Sequence, residues 1–203
     1  MHDSAAFRWS AQSSNQPDDY IADVVLEYCK KIGAQRILDV GSGNGRLTSV
    51  LIRSGFDVEG CDVSPEGVEL ARTQYPGIPF HNISVYGDPP SNDFDTVIST
   101  EVIEHLYLPR KLLQFAKKAL LPKGHLIISA PYHGYLKNLA LSLAGKWDPH
   151  FQPWIDGGHI KFFSRASLSA LAEDEGLGVV DLSGAGRCAY LWKSMVMLCV
   201  VRG

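Results

Sequence analysis

Apolar residues along the chain follow two alternating patterns. Short runs at Arg36-Ile-Leu-Asp-Val40, Asp57-Val-Glu-Gly-Cys61, Phe94-Asp-Thr-Val-Ile-Ser99 and Gly124-His-Leu-Ile-Ile-Ser129 have the length and composition of strands buried on both faces. Between them, apolar residues recur three or four apart, the period of a helix packed on one side. Pro17-Asp-Asp-Tyr places proline and acids in the first turn of a helix running to Ile32, with Gly33 as its stop. Leu47, Val50 and Leu51 share one face of a helix ending near Gly55. Ser64-Pro-Glu caps another, with Val68 and Ala71 inward and Tyr75-Pro76 at its end. Residues 78–85 form a weaker third strand. After the fourth strand the pattern predicts a helical stretch in two parts, interrupted at Pro109 and continuing through Leu112, Ala116 and Ala119 to Pro122.

Such regular alternation needs right-handed crossovers, so the expected fold is α/β, an open doubly wound sheet with helices on both faces. The rhythm breaks at residues 132–161, where Tyr132, Tyr135, Trp147, Phe151 and Trp154 are interspersed with His133, His150, His159 and several Gly and Pro. This segment reads as an inserted lid or substrate segment. The pattern resumes with Ser164 as N-cap, Leu168, Leu171 and Ala172 inward, and Gly176 as the stop. The last strands, 178–182 and 194–201, have no helix between them, which suits an antiparallel pair.

With 203 residues, the chain suits one domain over 17–203 after a polar, flexible segment at 1–16. A composition 45% hydrophobic and 20% charged excludes disordered, fibrous and disulfide-stapled classes. The net charge of -3 provides no general attraction for nucleic acid. Cys29, Cys61, Cys188 and Cys199 show no CxxC or zinc spacing and read as reduced core residues. The longest apolar run, Met195 to Val201, is too short for an export or spanning segment, so the expected location is cytoplasmic.

The first strand runs into Asp39-Val-Gly-Ser-Gly-Asn-Gly45, a glycine turn at the carboxyl edge of the sheet, where open α/β folds bind ligands. Asp39 would repel a pyrophosphate on the following helix but attract the α-ammonium of an amino-acid-like ligand. Asp62 closes the second strand, 17 residues beyond Gly45, where an acid accepts hydrogen bonds from two ribose hydroxyls.

These residues resemble class I S-adenosylmethionine-dependent methyltransferases over about residues 36–203. Phe94-Asp-Thr-Val-Ile-Ser-Thr-Glu-Val-Ile-Glu-His-Leu106 is similar to the family's fourth-strand block, and Leu121-Pro-Lys-Gly-His-Leu-Ile-Ile-Ser129 to its fifth. Glu-Val-Ile-Glu-His105 and Gly158-His-Ile-Lys-Phe-Phe-Ser164 look most like the branch holding ubiquinone-type O-methyltransferases and other small-molecule enzymes. The resemblance implies a Rossmann-like, seven-stranded, mostly parallel sheet whose last strand is antiparallel. The implied cofactor is S-adenosyl-L-methionine, with S-adenosyl-L-homocysteine as product. Asp39, Gly41, Ser42, Gly43 and Gly45 would contact its methionine part, and Asp62 with Val63 its ribose. Ser84 and Val85 would meet the adenine, where the family often has an Asp, and Thr100 completes the set.

Methyl transfer from a sulfonium disperses charge, so positioning supplies most of the acceleration. A hydroxyl acceptor also benefits from a base. Four residues apart on a helix, Glu101 and His105 would share a face, with His105 as base and Glu101 orienting it. His133, His150 and His159 are candidate substrate residues, and any of them is an alternative base. No metal is expected, since neither carboxylate nor cysteine stands at recognised ligand spacing from them. The expected function is methyl transfer to a small molecule, with a hydroxyl oxygen as acceptor. An NAD-dependent oxidoreductase shares the glycine turn and ribose acid but not Asp39 or the Gly-x-Gly-x-Gly form. A DNA amino-methyltransferase would carry an Asn/Asp-Pro-Pro-aromatic motif where Ser-Thr-Glu-Val102 stands. A non-catalytic cofactor-binding relic would show a decayed loop. Trp and Tyr in the lid suit a membrane interface, but no basic amphipathic helix supports one.

Overall fold

The computed structural model describes residues 18–151, 153–189 and 191–202. The flexible segment expected at 1–16 lies outside them. Helix α1 covers Asp18–Ile32 and β1 Arg36–Val40; α2 (Arg46–Arg53) leads to β2 (Asp57–Asp62), and α3 (Pro65–Gln74) to β3 (Phe80–Asn82). Strand β4 is Phe94–Ser99, followed by a 3-10 turn at Ile103–His105, α4 (Arg110–Ala119) and β5 (Leu120–Pro131). The segment expected to act as a lid carries α5 (Tyr135–Leu143) and α6 (Trp147–Phe151), and α7 (Arg165–Asp174), β6 (Leu177–Ala185) and β7 (Ser194–Val201) follow.

All seven strands form one sheet in the order β3-β2-β1-β4-β5-β7-β6. Pairings from β3 through β5 are parallel, while β7 lies antiparallel to both β5 and β6. This is the expected doubly wound sheet with its last strand reversed. Because side chains alternate along a strand, Leu38, Val97, Leu126 and Ile128 pack on one face with Leu112, Phe115 and Ala116 of α4 and Leu168 and Ala172 of α7. Ile37, Ile98, Ile127 and Leu198 face the other way, onto Ile21, Val25 and Tyr28 of α1 and Leu47 and Leu51 of α2. Each fully buried Leu, Ile, Val or Phe among these contributes about 1.5–3 kcal/mol relative to exposure.

Three local expectations are corrected. The third strand shrinks to Phe80–Asn82. The fifth lengthens to Leu120–Pro131, with an irregularity where pairing jumps from Phe94–Leu120 to Thr96–His125. Cys29, Cys61 and Cys199 are buried, but Cys188 is exposed. Among the described residues, no helix is long and apolar enough to cross a membrane.

Candidate functional site

The carboxyl ends of β1, β2, β4 and β5 meet at one edge. The loop after β1 is bound to β2, since the Cys61 carbonyl accepts from the N–H groups of Gly41 (2.7 Å) and Ser42 (3.0 Å). Gly41, at φ +82°, occupies the left-handed region, and a Cβ there would strike Val102 from the segment after β4. Gly45, at φ +78°, caps α2 against the Phe80 ring. Glycine is thus required for loop, β4 and β3 to approach one another.

Asp62 is buried. Its Oδ2 accepts from Gly43 N–H at 2.9 Å and its Oδ1 from Ser64 N–H at 2.7 Å, which joins the β1 and β2 loops and leaves lone pairs for a ligand. Burial raises its pKa, opposed by these backbone bonds. Asp39 is also buried and accepts from Thr48 Oγ1 at 2.6 Å, so its charge is held within the loop's base. The Ser42 hydroxyl is buried with no hydrogen-bond partner, a donor and acceptor ready for a polar cofactor. Val63 is exposed beside Asp62, Thr100 is buried after β4, and Ser84 Oγ accepts from Tyr86 N–H at 3.3 Å, with half-buried Val85 next to it. Every residue expected at the cofactor therefore lies along the edge bounded by β1, β2, β3 and β4.

The region after β4 departs from expectation. Glu101 has φ +53°, a left-handed conformation uncommon outside glycine, so no helix starts there and Glu101 and His105 do not share a helical face. Ser129 fixes Glu101, accepting its N–H at 3.0 Å and donating to Oε1 at 2.8 Å, while Ser194 donates to Oε2 at 3.0 Å. Strain of this kind persists where surroundings over-determine it, commonly at functional sites.

Glu104, on the 3-10 turn, is fully buried, and neither carboxylate oxygen has a hydrogen-bond partner. Desolvation raises its pKa, and the nearby Glu101 charge adds to this. The Nε2 atoms of His105 and His159 each stand 3.8 Å from Glu104 Oε1, too far for a hydrogen bond. The carbonyls of Gly157 and Gly158, 3.0 and 3.2 Å from His105 Nδ1, only accept, so Nδ1 donates to them, and in the neutral imidazole the lone pair is then on Nε2. Histidines that bind metals have this arrangement. The three ligand atoms of Glu104, His105 and His159 lie within 4.8 Å of one another, close enough to converge on one cation. Ile160 and Lys161 donate N–H bonds of 2.9 Å to the Glu104 carbonyl, docking the end of the lid on the same turn. Chain spacing did not foresee this group, because His159 arrives from 55 residues away.

His133 and His150 belong to the same inserted segment but lie apart from this group. His133 is buried against Phe151 (centroids 5.5 Å, stacked), Phe162 (5.2 Å) and His150 (5.7 Å). Sequence reasoning gave Glu104 only a pocket-shaping part beside His105, and it missed the Ser129 and Ser194 clamp and buried Lys137, which no local signal marks.

The methyltransferase-domain family matches residues 13–182. The chain belongs to that family and is a class I S-adenosylmethionine-dependent methyltransferase. It is 28% identical over 179 residues to the ubiquinone biosynthesis O-methyltransferase of Cereibacter sphaeroides, covering 82% of this chain and 72% of that one. With the protein of the same name from Ruegeria sp. it shares 31% over 170 residues, 78% of this chain and 66% of that one. Among solved structures, the magnesium protoporphyrin IX methyltransferase of Synechocystis with bound SAH superposes with TM-score 0.69 at 18% identity, over 90% of this chain and 82% of that one.

Proposed function

We propose that the enzyme methylates a hydroxyl oxygen of a small molecule bound between the 3-10 turn and the lid, with a divalent cation held by Glu104, His105 and His159. The observation that carries this reading is the Glu104 carboxylate, buried with both oxygens unpaired and facing two imidazole nitrogens. A buried carboxylate without a partner is strongly disfavoured, and a shared cation relieves it. The names of the relatives, ubiquinone biosynthesis O-methyltransferases, agree with oxygen as the acceptor atom.

S-adenosylmethionine supplies an electrophilic methyl on its sulfonium, and a cation at Glu104 supplies a Lewis acid that favours an ionised hydroxyl. The chain's own residues position these groups. Asp62 receives the ribose hydroxyls on its remaining lone pairs. Ser42 and the glycine loop hold the methionine part under the negative charge of Asp39, with Val63 and Thr100 flanking it. Ser84 and Val85 meet the adenine. Glu101, fixed by two serines, sets the course of the turn that presents Glu104 and His105. The lid excludes water from the transfer.

His105 as a general base would use the same free Nε2 lone pair, and chelation separates the two readings. Labelled methyl from S-adenosylmethionine, offered to catechols and matched anilines, is expected to enter catechol oxygen, to stop with a chelator, and to resume with Mn2+. Chelator-resistant turnover would favour the base, and labelling of nitrogen alone would overturn the hydroxyl assignment.

A further inference from the structure

Beneath the lid, beyond the Glu104 corner, is a second cluster that the transfer reaction leaves unused. Lys137 of α5 is only 8% exposed, yet its sole hydrogen bond among the described residues is a long one of 3.4 Å from Nζ to the Lys193 carbonyl. His133, also 8% exposed, has the Asn138 side chain beside it, but neither ring nitrogen makes a well-formed hydrogen bond among the described residues. His150 packs edge-on against it at 5.7 Å. The charge of Lys137 acts on both His133 and His150, whose rings adjoin. Arg187, which is exposed, acts on both Lys137 and His150. The opposing carboxylate is Glu101, already bound by the Ser129 and Ser194 hydroxyls.

Resting on the acceptor site proposed above, we infer that Lys137, with His133, His150 and the exposed Arg187 near it, receives an anionic group of the methyl acceptor, a carboxylate or a phosphate. A buried ammonium with one weak bond is an expensive arrangement unless a ligand completes it. Around it stand Arg187 and the imidazoles of His133 and His150, and the one opposing carboxylate, Glu101, is already engaged by Ser129 and Ser194, so an anion completes the group. Desolvation, reinforced by Arg187, pushes the Lys137 ammonium down to about 8, and desolvation with Lys137 pushes His133 down to about 4. The lysine therefore carries most of its charge near neutrality while His133 is neutral, able to donate one N–H to an anion. Such a site would select charged hydroxyl compounds over neutral ones of the same shape.

The test uses the full chain saturated with S-adenosylhomocysteine and labelled with 13C-lysine, the Lys137 resonance being assigned by its loss in Lys137→Arg. Benzoate, its neutral isostere benzamide, and inorganic phosphate are the probes, at matched ionic strength. Benzoate or phosphate is expected to shift the Lys137 resonance saturably while benzamide leaves it in place, and the better anion identifies the group. Calorimetry of that anion should show about tenfold weaker binding or more in Lys137→Met, the loss of one charge-assisted bond, with partial recovery in Lys137→Arg. The inference is overturned if neither anion moves the resonance, if benzamide moves it equally, or if Lys137→Met binds the anion as tightly. Should Lys137→Met fail to fold, the wild-type titration decides alone. The affinity for S-adenosylhomocysteine, measured in the same samples, reports separately on the cofactor site, and turnover with and without Mn2+ on the acceptor reading.

Discussion

The edge around Asp39, Gly41 and Asp62 is tied together by short backbone bonds between neighbouring strands, whereas the segment from Tyr132 to Phe163 is held by ring packing and by docking on the 3-10 turn. At the first edge each polar group is either satisfied or, like the Ser42 hydroxyl, placed beside a tight loop. In and around the inserted segment, Glu104, His133 and Asn138 leave buried polar atoms unpaired. The contrast separates two tasks. A cofactor common to a whole family suits a surface fixed by the sheet, while an acceptor peculiar to one enzyme suits a surface made by an insertion. Changes at the first surface should alter S-adenosylhomocysteine binding, and changes at the second should alter turnover and acceptor-side binding while leaving that affinity in place.

The largest effect is expected from Glu104→Gln. Loss of the buried charge should lower kcat by about 100-fold or more, as when metal sites lose an anchoring group, with the affinity for S-adenosylhomocysteine preserved. Equal losses in both would join the two surfaces that the contrast separates. Asp62→Ala should act the opposite way, weakening S-adenosylhomocysteine by about 1.5–3 kcal/mol per lost charged hydrogen bond in calorimetry. Because burial raises the Asp62 pKa, its proton returns at a higher pH than the ~3.9 of a free aspartate. Binding that depends on the carboxylate should therefore weaken on acidification earlier than an exposed Asp would allow, and Asp62→Asn should flatten that dependence. Gly41→Ala, forced into φ +82° and against Val102, should destabilise the fold by about 1–3 kcal/mol in denaturant titration. The smallest change, Ser84→Ala, should cost about 0.5–1.5 kcal/mol of S-adenosylhomocysteine affinity if its hydroxyl meets the adenine.

The same contrast governs what was legible in the sequence. Strands β1, β2, β4 and β7 and the capped starts of α3 and α7 are local events, written in apolar runs and in Ser64 and Ser164. The loop from Asp39 to Gly45 and the acid at Asp62 follow from those strands ending at one edge. What failed was the conformation at Glu101, where helix periodicity continues through the text but Ser129 and Ser194, distant in sequence, impose a left-handed residue. The length of β5 was missed because Lys123 and Gly124 look like a turn, though the chain stays paired to β4 on either side of them. The group formed by Glu104, His105 and His159 was hidden for the same reason, since it depends on how the lid folds back rather than on spacing along the chain.

The central claim, that the acceptor surface is a metal centre built apart from the cofactor surface, meets its most direct test in one titration. Mn2+ is added to the metal-stripped protein saturated with S-adenosylhomocysteine, in the wild type and in Glu104→Gln, with binding followed by calorimetry. A single site in the wild type that disappears in Glu104→Gln is the predicted result. No binding in the wild type, or an undiminished site in the variant, would contradict it.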